Sequence, residues 1–296
     1  MDNTGERMVP EFHKHDFIYP EHWGRYFFAS QFVKDKRVLD VACGSGYGSN
    51  YLAKEGAKKV IGLDCSAEAI DYAKDKFSYK NLEFLVGDAH NLPFKDKSFD
   101  VVVGFEMIEH LNDTKRFLSE VKRVIKKGGI ILLSTPNEEN YPEGNHYHIK
   151  EFLEDELKEL LSSYFKLNKF FYQKNIASAV ILDSDTLSEE ESSQPLDITV
   201  RKLTSFGTDR SEYFVVVSSD DEKKLNKKVS MEVVLFEEFP IEKYKYLVKS
   251  LTNIGERNKQ LEETIADIYA SRSWMIAKLV RKIFSFRKLL VPSNKI

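Results

Sequence analysis

The chain has 296 residues, 42% of them hydrophobic and 31% charged, a composition that excludes a disordered or fibrous protein and fits an ordinary globular one. Its two cysteines, Cys43 and Cys65, cannot assemble a disulfide framework or a cysteine-based zinc site. The formal net charge of −3 conceals an asymmetry: residues 271–296 hold seven Lys/Arg and no acid, so the residues before them hold 37 Lys/Arg against 47 Asp/Glu, a balance of −10. No run reaches the roughly 18 apolar residues of a spanning helix and "MDNTGERMVPEFHKH" has no apolar leader core, so the expected location is cytoplasmic.

From Lys36 to Ser134 short β-branched runs alternate with helical segments, the pattern of a parallel sheet built from βα units. "RVLDVA" (37–42), "KVIGLD" (59–64), "LEFLVG" (82–87), "FDVVVGF" (99–105) and "GIILLST" (129–135) read as five strands, apolar without alternation as strands covered on both faces should be. Helices are expected near 47–55, 67–77, 106–110 and 114–127. Asp113 is placed to cap the last, and Gly128-Gly129 to end it. After the polar loop "NEENYPEGNHYH" come a helix from Lys150 to Ser162, a strand near 167–173, an acidic, Ser-rich insertion over 175–210 and a strand over 212–219. The two late strands would extend the sheet as a hairpin. Beyond 220, Leu247, Leu251, Ile254, Asn258, Leu261, Ile265 and Ile268 recur at alternating four and three, a seam of about three heptads that either joins two copies of the chain or packs on its own domain.

The chemistry concentrates in "VLDVACGSGYGS" (38–49). A strand enters a turn whose glycines, Gly44, Gly46 and Gly48, let the backbone approach a ligand, and the following helix turns its first N–H groups toward it. A dinucleotide fingerprint would want glycine at 49, where Ser49 stands. Asp40 would repel a pyrophosphate and attract an ammonium or sulfonium, so an amino-acid-bearing cofactor is favoured. Asp64 closes the second strand where an acid can accept from a ribose diol, and Asp88 follows the third strand at the same sheet edge.

Taken in order, "VLDVACGSGYGS", "VIGLDCS", "VGDAHNLPF", "SFDVVVGFEMIEHL" and "VKRVIKKGGIILLSTPN" resemble the class I S-adenosylmethionine-dependent methyltransferases over roughly residues 20–220. The resemblance implies a Rossmann-like α/β fold with a mostly parallel seven-stranded sheet, helices on both faces and here a C-terminal helical extension. It implies S-adenosylmethionine as cofactor, with Asp40, Gly44 and Gly46 along its methionine part, Asp64 at the ribose, Cys65 and Ser66 beside the ring, Asp88 and Ala89 at the adenine, and Phe105 and Glu106 bordering the sulfonium. "EHWGRYFFA" (21–29) looks like the helix that lids the cofactor in one branch of the family, with Arg25 and Tyr26 as its contacts. The organisation expected is a lid region 1–35, a catalytic domain 36–220, a linker with a coiled-coil-like helix 221–270 and a basic tail 271–296.

For the acceptor's proton, Glu106, Glu109 and His110 would share one helix face, and His148 lies in the loop after the fifth strand. His110 is the first candidate base and His148 the second, with Glu109 beside them. A cation on Glu106, Glu109 and His110 is weighed and not adopted, so no metal is expected. The stretch "NHYHIKEF" and the tail "IADIYASRSWMIAKLVRKIF" resemble methyltransferases associated with surface polysaccharide synthesis, which implies O-methylation of a sugar or glycan. Alternatives are a quinol-type small-molecule O- or C-methyltransferase, or a scaffold that tethers a glycan-assembly complex. In the tail, five cations among ten apolar residues from Trp274 to Leu290 fit an interfacial helix, placing the protein at the inner membrane face or on a complex there, and no nucleic acid is expected.

Overall fold

The computed structural model describes residues 7–14, 16–141, 145–175, 211–231, 234, 257, 259–261, 263 and 264. The chain divides into two units, Met1–Phe236 and Glu237–Ile296. Of the second, Arg257, Lys259, Gln260, Leu261, Glu263 and Thr264 are helical. The remainder of the heptad seam, the basic tail and the insertion from 176 to 210 lie outside the described residues. No helix among the described residues is long and apolar enough to cross a membrane.

The first unit holds one sheet of seven strands: β1 (Arg37–Val41), β2 (Lys59–Asp64), β3 (Leu82–Val86), β4 (Phe99–Phe105), β5 (Ile125–Pro136), β6 (Leu167–Gln173) and β7 (Tyr213–Ser219), in the order β3-β2-β1-β4-β5-β7-β6. The first five are parallel, and β7 runs antiparallel between β5 and β6. The expected hairpin is therefore present, with its returning strand inserted next to β5. Strand order reverses between β1 and β4, so a crevice opens at their carboxyl ends, where ligands of such sheets bind.

The helices are α1 (Pro10–His13), α2 (Ile18–Ser30), α3 (Tyr47–Lys54), α4 (Ala67–Lys76), α5 (Thr114–Val124), α6 (Glu154–Ser162) and α7 (Glu222–Leu225), with one 3₁₀ turn at Ile108–His110. The two-residue period of the strands sorts the core. Leu39, Val41, Ile61, Leu63, Val102, Ile131 and Leu133 face Phe117, Leu118 and Val121 of α5 and Leu157 and Leu161 of α6. Val38, Val60, Val101, Val103, Ile130 and Leu132 face Phe28 and Ala29 of α2 and Leu52 and Ala53 of α3. Asp40, two residues from Val38, is thereby directed under α2 and α3.

Three expected boundaries move. The helix expected to run to residue 127 is capped by Asp113, whose carboxylate accepts the Arg116 N–H, but stops at Val124. Ile125 is extended and pairs with Phe99, and the ladder shifts register between Phe99 and Val101. Gly128 (φ +70°) and Gly129 therefore lie inside β5, the second where a Cβ would come within 2.9 Å of the Asp100 carbonyl, and they serve an irregularity of the strand rather than a helix end. The helix expected from Lys150 begins only at Glu154, and the one expected over 106–110 is a single turn.

Phe117 is fully buried at the centre of the α5 face. Phe117→Ala is expected to cost about 3–5 kcal/mol through lost burial and the cavity left behind, read as a lowered urea midpoint with an unchanged slope; a loss below about 1 kcal/mol would show that this face is not the core.

Candidate functional site

The turn after β1 is left-handed at Ala42, Gly44 and Gly46. At Gly46 a Cβ would come within 2.6 Å of the Ala73 Cβ and 2.8 Å of the Phe84 ring, and at Gly48 within 2.0 Å of the Tyr26 ring. The space beside these two glycines is thus filled by the chain itself. Only at Gly44 is the neighbour a flexible side chain, that of Arg7 at 3.3 Å.

Asp40 is fully buried. Ser49 Oγ donates to it at 2.6 Å and the Tyr26 hydroxyl lies 3.3 Å from both oxygens. Burial, aided by the charge of Asp64 and opposed by those hydrogen bonds, raises its pKa to about 7. An exposed carboxylate aimed at a cationic ligand is therefore not what β1 delivers: Asp40 works through Ser49 and Tyr26. Asp64, also buried, accepts the N–H groups of Gly44 and Ser66, each at 2.9 Å, with the Arg7 guanidinium 3.9 Å away. Ser66 caps α4 with its hydroxyl, and Cys65 is exposed. Asp88 is held by the backbone N–H and Nδ1 of His90, both at 2.8 Å, and these bonds lower its pKa. Ala89 packs on the core from the same loop.

At the end of β4, Phe105 stacks edge-on against Tyr26 at 5.3 Å, and Glu106 takes a left-handed backbone (φ +48°). The Glu106 N–H and the Ser134 hydroxyl bind each other, and Ser134 Oγ donates to Glu106 Oε1 at 2.7 Å. Glu106 Oε2 lies 3.5 Å from Nη2 of Arg25, which is 2% exposed. Arg25 Nε donates to Gln173 at 2.8 Å and the guanidinium stacks 4.3 Å over Tyr213, yet Nη1 and Nη2 make no hydrogen bond although both are buried.

The 3₁₀ turn that follows carries Glu109 inward. Thr135 Oγ1 donates to Oε2 at 3.0 Å, and the buried Oε1 has no hydrogen-bond partner. Burial, with the charge of Glu106, pushes the Glu109 pKa well up. Its carbonyl accepts the N–H groups of Ile149 and Lys150, which pins the loop after β5 over the turn. In consequence the His110 and His148 rings lie 4.9 Å apart, and Glu109, His110 and His148 offer ligand atoms all within 4.8 Å of one another. Glu106, expected on the same helix face as Glu109 and His110, instead turns toward Arg25, because its left-handed backbone breaks the helix before it starts.

The stretch from β1 to β5, residues 39–133, matches the family model described as a methyltransferase domain. The chain is 35% identical over 165 residues to a protein of Mycolicibacterium smegmatis named a probable S-adenosylmethionine-dependent methyltransferase, covering 54% of this chain and 63% of the relative. It is 34% identical over 163 residues to one of the same description from Mycobacterium tuberculosis, covering 53% and 58%. A fatty-acid O-methyltransferase of Mycolicibacterium smegmatis is 41% identical over 101 residues, 34% of this chain and 37% of that one. The chain spans less than two thirds of the length of the curated relatives it matches. The strand order β3-β2-β1-β4-β5-β7-β6, with β7 antiparallel, gives the first unit the Rossmann-like fold of methyltransferases.

The residues at the carboxyl ends of the strands, with Arg25 of α2, would suit a cofactor of the kind named for those relatives. Arg25 keeps two buried, unsatisfied nitrogens that call for an anion, Glu106 beside it suits an ammonium, and Asp64 and Asp88 keep acceptor capacity at the ends of β2 and β3. Four polar contributors were not legible in the sequence: Arg7, Gln173, Tyr213 and Thr135. Gln173 and Tyr213 reach Arg25 because β6 and β7 return to the sheet edge; the strands themselves are expected from the sequence, but nothing local signals that these two side chains meet α2. Asn145 and Glu151, by contrast, stand three residues either side of His148, a spacing that could have marked them as its partners.

Asp40 yields a pH test of this geometry. An unfolded-chain aspartate titrates near 4 and the folded one at about 7, so between those values the folded state holds a proton the unfolded chain has released, and stability falls as pH rises. Urea midpoints across pH 4–8 should show the wild type losing stability relative to Asp40→Asn by up to about 1.4 kcal/mol per pH unit within that window; parallel curves would contradict it.

Proposed function

We propose that the protein transfers a methyl group from S-adenosylmethionine to a hydroxyl of a sugar or glycan intermediate of surface polysaccharide synthesis. The observation that carries the transfer is Arg25: a guanidinium with two buried nitrogens that make no hydrogen bond, beside Glu106 at the end of β4 in the stretch that matches a methyltransferase domain. When bound, the cofactor supplies a methyl group made electrophilic by its sulfonium; an oxygen–carbon bond forms as the carbon–sulfur bond breaks, its electron pair going to sulfur.

The chain's own residues bind, orient and handle the proton. Arg25 would hold the cofactor's carboxylate and Glu106 its ammonium. Asp64 would accept from the ribose, with Cys65 and Ser66 beside it, and Asp88 with Ala89 would meet the adenine. Asp40 acts at one remove, by fixing the Tyr26 ring that Phe105 stacks against. The hydroxyl's proton would pass to an imidazole nitrogen, of His110 in the first place and of His148 in the second, with Glu109 beside them.

The glycan reading draws on "NHYHIKEF" and on the "IYASRSW" element of the tail. A second reading, a lipid hydroxyl or carboxylate acceptor, is favoured by the fatty-acid O-methyltransferase among the relatives and by the exposed Tyr147 and Ile149 that flank His148 in the chain. Location at the inner membrane face through 271–296, and pairing of two copies through 247–268, belong to the same proposal.

Calorimetric titration should show S-adenosylmethionine binding by the full chain, with Arg25→Gln weakening it about 10- to 100-fold, as loss of a charged hydrogen bond does. Labelled methyl donor incubated with glycan precursors in one arm and long-chain fatty acids in another should label the first. Label in the second alone would move the acceptor to a lipid, and absence of binding by the wild type would overturn methyl transfer altogether.

A further inference from the structure

We propose that Glu109, His110 and His148 form a binding site for a divalent first-row transition cation. One observation is their convergence, with a ligand atom from each within 4.8 Å of the others. A second and independent one is Glu109 Oε1, which belongs to a fully buried side chain and makes no hydrogen bond, although a buried carboxylate oxygen left unsatisfied is costly. His110 Nε2 lies 4.0 Å from it.

The groups behind the two imidazoles set which nitrogen faces the site. His110 Nδ1 lies 2.9 Å from the Tyr147 carbonyl, which can only accept, so the proton sits on Nδ1 and Nε2 carries the lone pair. His148 Nδ1 lies 2.8 Å from Glu151, which likewise holds the proton there and turns Nε2 toward Asn145. A carboxylate or carbonyl behind each histidine, orienting the ring and raising its basicity, is the arrangement that accompanies metal-ligating histidines. Thr135 does the same for Glu109 by engaging its other oxygen.

Two imidazoles and one carboxylate suit the manganese-to-zinc series, whereas magnesium and calcium prefer oxygen donors alone. Ligands at about 2.1 Å from one ion are at most about 4.2 Å apart, so binding draws the side chains together and takes His148 Nε2 from Asn145. Three protein ligands leave a position open for an acceptor hydroxyl, whose ionisation a cation promotes. That consequence rests on the methyl-transfer reading; the binding itself does not. It makes His110 and His148 ligands where the sequence made them bases, and it replaces Glu106 with His148 in the cation set weighed from the sequence.

The test uses the full chain, stripped with a chelator and titrated with cobalt(II), whose visible absorption changes on coordination by imidazole, followed by competition with zinc(II). One equivalent should bind, about 10- to 100-fold more weakly in Glu109→Gln and in His148→Ala, and unchanged in His146→Ala on the same loop, with circular dichroism confirming that each variant is folded. No cobalt spectrum in the wild type, or equal binding by wild type and all variants, overturns the site. S-adenosylmethionine binding is measured on the same stripped protein: cobalt without cofactor binding overturns the methyl-transfer reading alone, and cofactor without cobalt binding overturns the cation site alone.

Discussion

A guanidinium with almost no contact with water must be surrounded by groups that compensate its lost hydration, and Arg25 is so placed that those groups come from every part of the first unit. It stands on α2, meets Glu106 at the end of β4, and rests on Gln173 and Tyr213 from β6 and β7. Those two are themselves tied back to α2, because Gln173 Nε2 donates to the Glu21 carbonyl and the Tyr213 hydroxyl to the Glu21 carboxylate. Helix α2, the parallel part of the sheet and its antiparallel edge thus close on one charge, whose Nη1 and Nη2 make no hydrogen bond.

Glu106 joins this cluster to the next. Its left-handed backbone sends its carboxylate to Arg25 and Ser134, while the turn it starts sends Glu109 inward to Thr135. Two carboxylates three residues apart are in this way given opposite surroundings, one beside a cation and one buried, and burial together with the charge of the first raises the pKa of the second. The strain at one residue separates a region suited to a zwitterionic cofactor from a pocket of imidazoles.

The glycine-rich turn shows how one pattern serves two purposes. Gly46 and Gly48 admit Ala73, Phe84 and Tyr26, so that α3 and α4 can pack tightly against the sheet, and Asp40 disappears beneath them. The same compactness leaves Asp64 with its two backbone N–H donors, fixing a carboxylate at the end of β2.

Local periodicity and turn chemistry were enough to determine the five parallel strands, the two late strands, the Asp113 cap and the order of acids at the carboxyl ends of β1, β2 and β3, since each depends on residues close in the chain. The sequence by itself also determined the charge asymmetry between the body and residues 271–296. It could not determine that α5 ends at Val124, because the competing partner of Ile125 is Phe99, a strand away. Nor could it tell that Asp40 is buried, that Glu106 leaves the helix it was assigned to, or that His148 completes the group of Glu109 and His110. Those outcomes turn on which strand face a residue occupies and which distant loop is pinned above it, and only tertiary packing decides such matters, because the interactions that stabilise them join residues up to 81 positions apart, as Arg25 and Glu106 are.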